Sequence, residues 1–491
     1  MLEISITGTD KRNPYEELIK VFLQPSEYRI VETESKKDPN GNANECLQTE
    51  TMEEPVDPIP DQKLSYHFNG DADALKREIY RDLSKLTGKK PKWGILTGIR
   101  PVKLTYELAY GAKAGTDDGM NAKESPIRRA RRCLEETYLL HPAKADLAAE
   151  ILEYQRNVSG DPADRSLSVY LGIPFCPTRC LYCSFTSNQV GEDEIERYLS
   201  ALQKEIDYAG EAAAGDGFRV ESVYFGGGTP TTLTAAQLDR LLGQVRDRFS
   251  LDHAPLLREF TVEAGRPDTI NLDKLSVLRE HGVDRISINP QSMHQKTLDR
   301  IGRRHTVEQT RDAFRIARDA GFDCINTDLI AGLPEEDFSD FAQSLEEILS
   351  LGADNITLHT LAVKRASRLK EMDENFHYRA EELREEMLSF AAEKLRGAGM
   401  RPYYLYRQKH TSGNTENIGY CRDDKISVYN IRIMEERQSI LALGAGGISK
   451  IWFPAENRLE RVPNISNYEI YIQRIDDMIT RKRERFFGQT I

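Results

Sequence analysis

From residue 166 onward, short apolar runs alternate with longer stretches whose apolar residues recur every three to four positions. The runs SVYLGI, SVYFGG, FTVEAG, RISINP, INTDLIAGL and ITLHTLAV read as strands, and the stretches between them, such as ERYLSALQKEIDYAG and TRDAFRIARDAG, as amphipathic helices. Alternation of this kind predicts an α/β fold of βαβ units around a parallel sheet. The count is six β/α repeats, two short of a closed eight-fold barrel.

Upstream the period changes. Residues 2–6, 28–31 and 64–68 alternate as strands, while 15–22 and 72–86 carry helical spacing, which predicts a small N-terminal α+β unit over 1–160. Within it, the polar, acidic stretch at 35–62 has no period and reads as a long flexible loop. The segment KKPKWGILTGIRPVKL reads either as a basic loop suited to an anion or as a turn packed by Trp93 and Ile95. Two helices, 127–136 and 143–157, lead to a boundary in SGDPADRS, and after residue 363 come a helix at 382–395 and a mixed tail. The expected units are therefore 1–160, 161–365 and a C-terminal extension, 366–491.

Composition narrows the class. The chain has 491 residues, 39% hydrophobic and 30% charged, and a net charge of −12, which argues against nucleic acid as a partner. The start MLEISITGTDKRNPYEE lacks the apolar core of a secretory leader, and no uncharged stretch approaches a membrane span. Seven cysteines, three of them within eight residues, do not make a disulfide scaffold; a reducing, cytoplasmic setting is expected. Cys46, Cys133, Cys324 and Cys421 stand alone and read as ordinary thiols.

The grouped three define the chemistry. IPFCPTRCLYCSF sets Cys176, Cys180 and Cys183 in a Cys-x3-Cys-x2-Cys loop directly after the first barrel strand. Three thiolates this close suit three corners of one cubane cluster, leaving one iron open to another ligand. A zinc site asks for a fourth Cys or His at ligand spacing, and none is near in sequence; coincidental core thiols do not fit a polar-flanked turn. YFGGGTPT ends the second strand with three glycines whose amides can approach a ligand, and Glu263 closes the third, either as a ribose acceptor or as a charge at a helix start. Tyr170 reads as a ligand contact or a core tyrosine, and Tyr182, between two cysteines, as a flank of the cluster.

The loop resembles that of the radical S-adenosylmethionine superfamily, and the segments after it resemble the oxygen-independent coproporphyrinogen III oxidase (HemN-like) group, with GILTGIRPVKL and PYYLYRQK pointing to its HemZ branch. The resemblance implies a partial (β/α)6 barrel over roughly 166–363, a [4Fe-4S] cluster on Cys176, Cys180 and Cys183, and two S-adenosylmethionine molecules per chain. It assigns Tyr170, Gly227 and Glu263 to the cluster-bound molecule, and Gly228, Thr229, Gln291, Arg303 and Asp328 to the second, with further contacts from Ala362 and Ile448.

It also implies a tetrapyrrole substrate, whose propionates lose carbon dioxide to become vinyl groups, and an electron donor such as flavodoxin or ferredoxin. Cations in KRASRLK, at 364–370, with Arg407 and Lys409, are candidates for the propionates, or are simply solvated charge. Two departures stand out. Phe185 occupies the position where the oxidases carry a further Cys, a trait shared with haem-trafficking and haem-degrading relatives. The chaperones' His-Asn-x-x-Tyr-Trp motif falls at Glu416, Asn417, Tyr420 and Cys421, without its His or its Trp. A haem chaperone, and a tetrapyrrole methyltransferase or ring-opening enzyme, are the alternatives.

Overall fold

A computed structural model describes residues 2–9, 11–24, 26–31, 62–98, 100–111, 124–183, 187–361, 381–408 and 415–489. The six expected barrel strands all form: β4 (Ser166–Ile173), β5 (Arg219–Gly227), β6 (Glu259–Glu263), β7 (Arg285–Ser287), β8 (Cys324–Ala331) and β9 (Asn355–Thr360), numbered after three N-terminal strands, β1 (Leu2–Thr7), β2 (Tyr28–Ile30) and β3 (Lys63–His67). They lie side by side in chain order and parallel. Helices Glu192–Gly215, Ala235–Arg248, Leu272–Glu280, Val307–Asp319 and Phe338–Ser350 connect them. Local chemistry sets the helix starts: Thr234 with Gln237, Thr306 with Gln309 and Asp337 with Asp340 form reciprocal caps. Leu167, Val169, Leu171 and Ile173 of β4 are fully buried, each contributing about 1.5–3 kcal/mol of transfer free energy.

Strands of the tail join the barrel sheet. Beyond β9 the sheet continues antiparallel with β11 (Glu416–Arg422) and β10 (Met400–Arg407); beyond β4 it continues with β12 (Ser439–Leu443), parallel, then β13 (Ile448–Phe453) and β14 (Arg458–Pro463). One eleven-stranded sheet results. Between β11 and β12 the chain passes under the barrel through the helix Val428–Glu435. There the Glu221 carboxylate accepts from Arg432 at 2.9 Å, and Ser427 donates to Glu259 at 3.0 Å.

The N-terminal strands form a parallel sheet in the order β2, β1, β3, with helices Asn13–Phe22 and Ala72–Thr87 on it. Leu2, Ile4, Leu18, Phe22, Ile79 and Leu83 give this part its own core. Trp93, Ile95 and the helices Pro101–Ala109, Pro126–Glu136 and Pro142–Val158 instead contribute to the core that runs through the barrel. Tyr80 packs against both cores. The long loop expected at 35–62 lies, apart from Gln62, outside the described residues. Among those described, no helix is long and apolar enough to cross a membrane.

Candidate active site

At the C-terminal face of the parallel strands the chain leaves β4 and enters the cysteine loop. The loop is tied back to its surroundings: Cys176 N–H donates to Asn188 O at 3.0 Å, Leu181 N–H to Ile301 O at 3.0 Å, and Cys183 N–H to Cys180 O at 3.3 Å. The glycine turn after β5 docks against its entry, with Gly228 N–H on Ile173 O and Thr229 N–H on Phe175 O, both at 2.8 Å. Cys176 Sγ lies 3.4 Å from Thr229 Oγ1. A Cβ on Gly228 would stand 2.5 Å from Phe175 O and 3.0 Å from Cys176 Sγ. Gly228→Ala is therefore expected to push turn and loop apart at an overpacking cost of about 1–3 kcal/mol. It should lower the iron and sulfide retained after anaerobic reconstitution; wild-type loading would contradict this close fit.

Two buried arginines brace the loop. Arg266 pairs with Asp268 through Nε and Nη2, each at 3.0 Å, and donates from Nη1 to Thr178 Oγ1 at 2.8 Å. Arg303 donates to Gly265 O at 2.7 Å, Asn289 O at 2.5 Å and Tyr182 Oη at 3.0 Å, with Cys180 Sγ at 3.9 Å from Nη1. Burial pushes the Cys176 thiol up to about 11, while Thr229 and, more weakly, Arg266 pull the other way. Iron ligation itself deprotonates a thiol, and a positive frame around the loop suits the thiolates that result. Among the described residues no three His, Cys, Asp or Glu side chains converge on one ion-sized point. A cubane does not ask for that, because its thiolates sit on separate irons. Three cysteines on one braced loop, with Cys180 and Cys183 both close enough to oppose a charge on Cys176, fit such a cluster.

The lumen carries the expected carboxylates. Glu263 accepts from Tyr224 Oη at 2.7 Å; burial and Asp328 raise its carboxyl to about 7, against the pull of the Tyr224 hydroxyl and the Gly227 N–H. Tyr170 packs beside Tyr224 at 6.2 Å between centroids. Asp328 lies inside β8 and not at its end, two residues beyond the level at which Ser287 ends β7. It accepts from Asn326 Nδ2 at 3.1 Å and faces His359 Nε2 at 3.5 Å, while His359 Nδ1 meets Tyr406 Oη at 3.0 Å. Gln291 is held at φ 74° because its N–H and C=O both pair with β8, through Asp328 O and Ile330 N–H. A left-handed glutamine costs on the order of 1–3 kcal/mol, and its buried Oε1 has no protein partner, as befits a side chain set for a ligand. Ile448 opens β13 at the same face, half exposed beside the turn at 444–447.

Some expected residues fall elsewhere. Ala362, Phe185, Lys409 and the basic run 364–370 lie outside the described residues. Arg407 is a correction: its guanidinium is buried over the Trp93 ring and donates to Leu96 O at 2.7 Å, which ties down the segment after Trp93 and withdraws it from the candidates for a propionate. Of the two readings of that segment, Trp93 and Ile95 are fully packed. Tyr224, His359, Tyr406 and Arg266 were not singled out in the sequence. For Arg266 the signal was there, a cation three residues past Glu263; for His359 and Tyr406 it was not, since their meeting depends on an antiparallel strand returning from the tail.

Comparison with known proteins agrees with this geometry. Residues 170–348 match the radical SAM superfamily. The Bacillus subtilis oxygen-independent coproporphyrinogen-III oxidase-like protein HemZ is 39% identical over 413 residues, 82% of this chain and 79% of its own length. The haem chaperone HemW of the same organism is 31% identical over 48% of this chain and 62% of its own length. Among solved structures, Escherichia coli coproporphyrinogen III oxidase (HemN), described as a radical SAM enzyme, superposes with a TM-score of 0.51 at 24% identity, covering 64% of this chain and 70% of that one.

Proposed function

We propose, on the premise that this chain belongs to the radical SAM superfamily and within it to the oxygen-independent coproporphyrinogen III oxidase-like group, that it oxidatively decarboxylates porphyrinogen propionates to vinyl groups in haem biosynthesis. Its cofactors are those of the superfamily, a [4Fe-4S] cluster and S-adenosylmethionine, and it needs a reductant and a substrate. When bound, the cofactors would use one electron from the reductant to supply a carbon-centred radical able to take hydrogen from a propionate β-carbon; the substrate radical then loses carbon dioxide and gives one electron back to an acceptor, leaving the vinyl group.

Everything else falls to side chains. Cys176, Cys180 and Cys183 hold the cluster, with Arg266 and Arg303 bracing their loop. Glu263, Gly227, Tyr170 and Tyr182 orient the molecule beside the cluster, Glu263 accepting the ribose hydroxyls. Gly228, Thr229, Gln291, Arg303, Asp328, Ala362 and Ile448 are assigned to a second molecule; Nη2 of Arg303 already serves two carbonyls and Nη1 the Tyr182 hydroxyl, so Nε is the donor left for a carboxylate. The run 364–370 is assigned to propionates, and a flavodoxin or ferredoxin to the supply of electrons.

The observation that carries this reading is a likeness to HemZ through 82% of the chain, barrel and flanks alike, combined with the loss of the chaperone motif. Where chaperones keep His and Trp, Glu416 and Cys421 are buried, and Glu416 is bound by Lys144 and by Trp93 Nε1 at 2.8 Å. Reconstituted protein incubated anaerobically with coproporphyrinogen III, S-adenosylmethionine and a reductant is expected to yield 5′-deoxyadenosine together with harderoporphyrinogen and then protoporphyrinogen, each step losing one carboxylate by mass spectrometry. Cofactor cleavage without decarboxylation would overturn the proposal. Methylated or ring-opened tetrapyrrole, or haem bound and handed on unchanged, would replace it with one of the alternatives.

A further inference from the structure

Tyr224 points into the lumen with its hydroxyl donating to Glu263 Oε1 at 2.7 Å, and its ring belongs to a stacked cluster of three tyrosines. Tyr429, from the helix Val428–Glu435, stacks on it at 4.4 Å between centroids with 21° between planes; Tyr170 stacks at 6.2 Å and 17°. Tyr429 is fixed in turn. The backbone N–H groups of Val428 and Tyr429 donate to the Glu259 carboxylate, the second at 3.2 Å, and the Ser427 hydroxyl joins them. The segment under the barrel thereby locks the ring, and the ring aims a hydroxyl at one carboxylate oxygen.

We infer that Tyr224 is a positioning residue for S-adenosylmethionine: its hydroxyl, held in the tyrosine stack, fixes one oxygen of Glu263 and keeps the carboxylate turned toward the ribose. This rests on the assignment of Glu263 to the ribose. An ionised carboxylate accepts on both oxygens, whereas a protonated one loses part of that capacity and spends a proton as donor. With Tyr224 on one oxygen, the carboxylate cannot rotate freely away from the ligand.

The groups around Glu263 pull in opposite directions. Asp328, on β8, opposes a second negative charge, and burial opposes any charge at all. Tyr224 from β5 and the Gly227 N–H favour it. Tyr170 from β4 and Tyr429 from the helix are themselves pushed above the ordinary tyrosine range by burial, so they are neutral at these pH values. His359 on β9 reaches Glu263 only through Asp328, which it faces at 3.5 Å. No cation is among the groups that shift Glu263; of the two groups that favour its charge, the Tyr224 hydroxyl acts more strongly than the Gly227 N–H.

The test is equilibrium binding of S-adenosylmethionine to anaerobic, cluster-loaded protein between pH 6 and 9. Wild-type affinity is expected to weaken as the pH falls through about 7. In Tyr224→Phe, which keeps the ring stack, the lost hydrogen bond raises the Glu263 pKa. The midpoint should move up by about one to two pH units, weakening binding about tenfold at pH 7. Tyr429→Ala leaves the hydroxyl but removes its brace, and should move the midpoint the same way by a smaller step. A wild-type pH curve in both variants overturns the inference. Glu263→Gln separates the two readings: lost affinity there alongside a wild-type curve in Tyr224→Phe discards the positioning role alone. Wild-type affinity in Glu263→Gln discards the ribose assignment beneath it.

Discussion

Cys180→Ala is expected to give a chain with wild-type secondary structure whose reductive cleavage of S-adenosylmethionine falls to background, and the same holds for Cys176→Ala and Cys183→Ala. A cubane needs a thiolate at each corner that the protein supplies, so losing one ligand removes the cluster or leaves it labile. Alanine at Cys46, Cys133, Cys324 or Cys421 should leave cleavage near wild type. Thiol acidity does not set Cys176 apart from Cys324 and Cys421: burial pushes Cys324 up to about 11 and Cys421 to about 12, and Cys176 also stands at about 11. Position separates them, because only three thiols share a loop braced by buried arginines. Quantifying 5′-deoxyadenosine after reduction of each reconstituted variant decides the matter, and wild-type turnover by Cys180→Ala would refute the ligand assignment.

The second large effect is on stability. Lys482, on the helix Ile475–Arg485, donates to Glu205 Oε1 and Asn464 Oδ1, each at 2.6 Å, and both members of the ion pair are fully buried. The same carboxylate accepts from the Gly444 N–H at 2.7 Å, Tyr471 Oη at 2.6 Å and Asn464 Nδ2 at 2.8 Å. Lys482→Ala leaves an uncompensated charge among these donors and should cost about 3–5 kcal/mol, seen as a lower melting temperature and a lower urea midpoint. Lys482 and the other donors hold the Glu205 carboxyl below the usual range despite its burial. Its folded pKa is thus below its unfolded one, so its contribution is complete above the unfolded value and is lost as the pH falls through the folded one. Wild-type melting should therefore drop on acidification more steeply than that of a Glu205→Gln, Lys482→Met double variant; parallel curves would show that the pair does not govern acid stability.

The barrel was legible because a strand buried on both faces and the helix that follows it have different periods, and six such pairs leave little room for another arrangement. The cysteine loop was legible as ligand spacing, and Glu263 and the glycine turn as features at strand ends. The tail was not. Its strand 416–422 pairs with β9, carrying 400–407 outside it, and 439–443 pairs with β4, so the strands that join the barrel find partners tens to hundreds of residues away and no local period announces them. The same separation hid Arg407: beside Gln408 it looks like solvated charge, and only its meeting with Trp93, more than three hundred residues earlier, makes it a core residue.

A sheet completed at both margins by the tail has a consequence for how the chain is made. During synthesis the six parallel strands emerge from the ribosome first, with the free N–H and C=O rows of β4 and β9 open to any passing strand. Residues 416–422 close the β9 row, but the β4 row stays open until residues 439–443 have been translated and threaded beneath the barrel. From the completion of β9 until residues 439–443 have paired with β4, the nascent barrel is therefore an aggregation-prone intermediate, and translation pauses or stop codons in that interval leave it there.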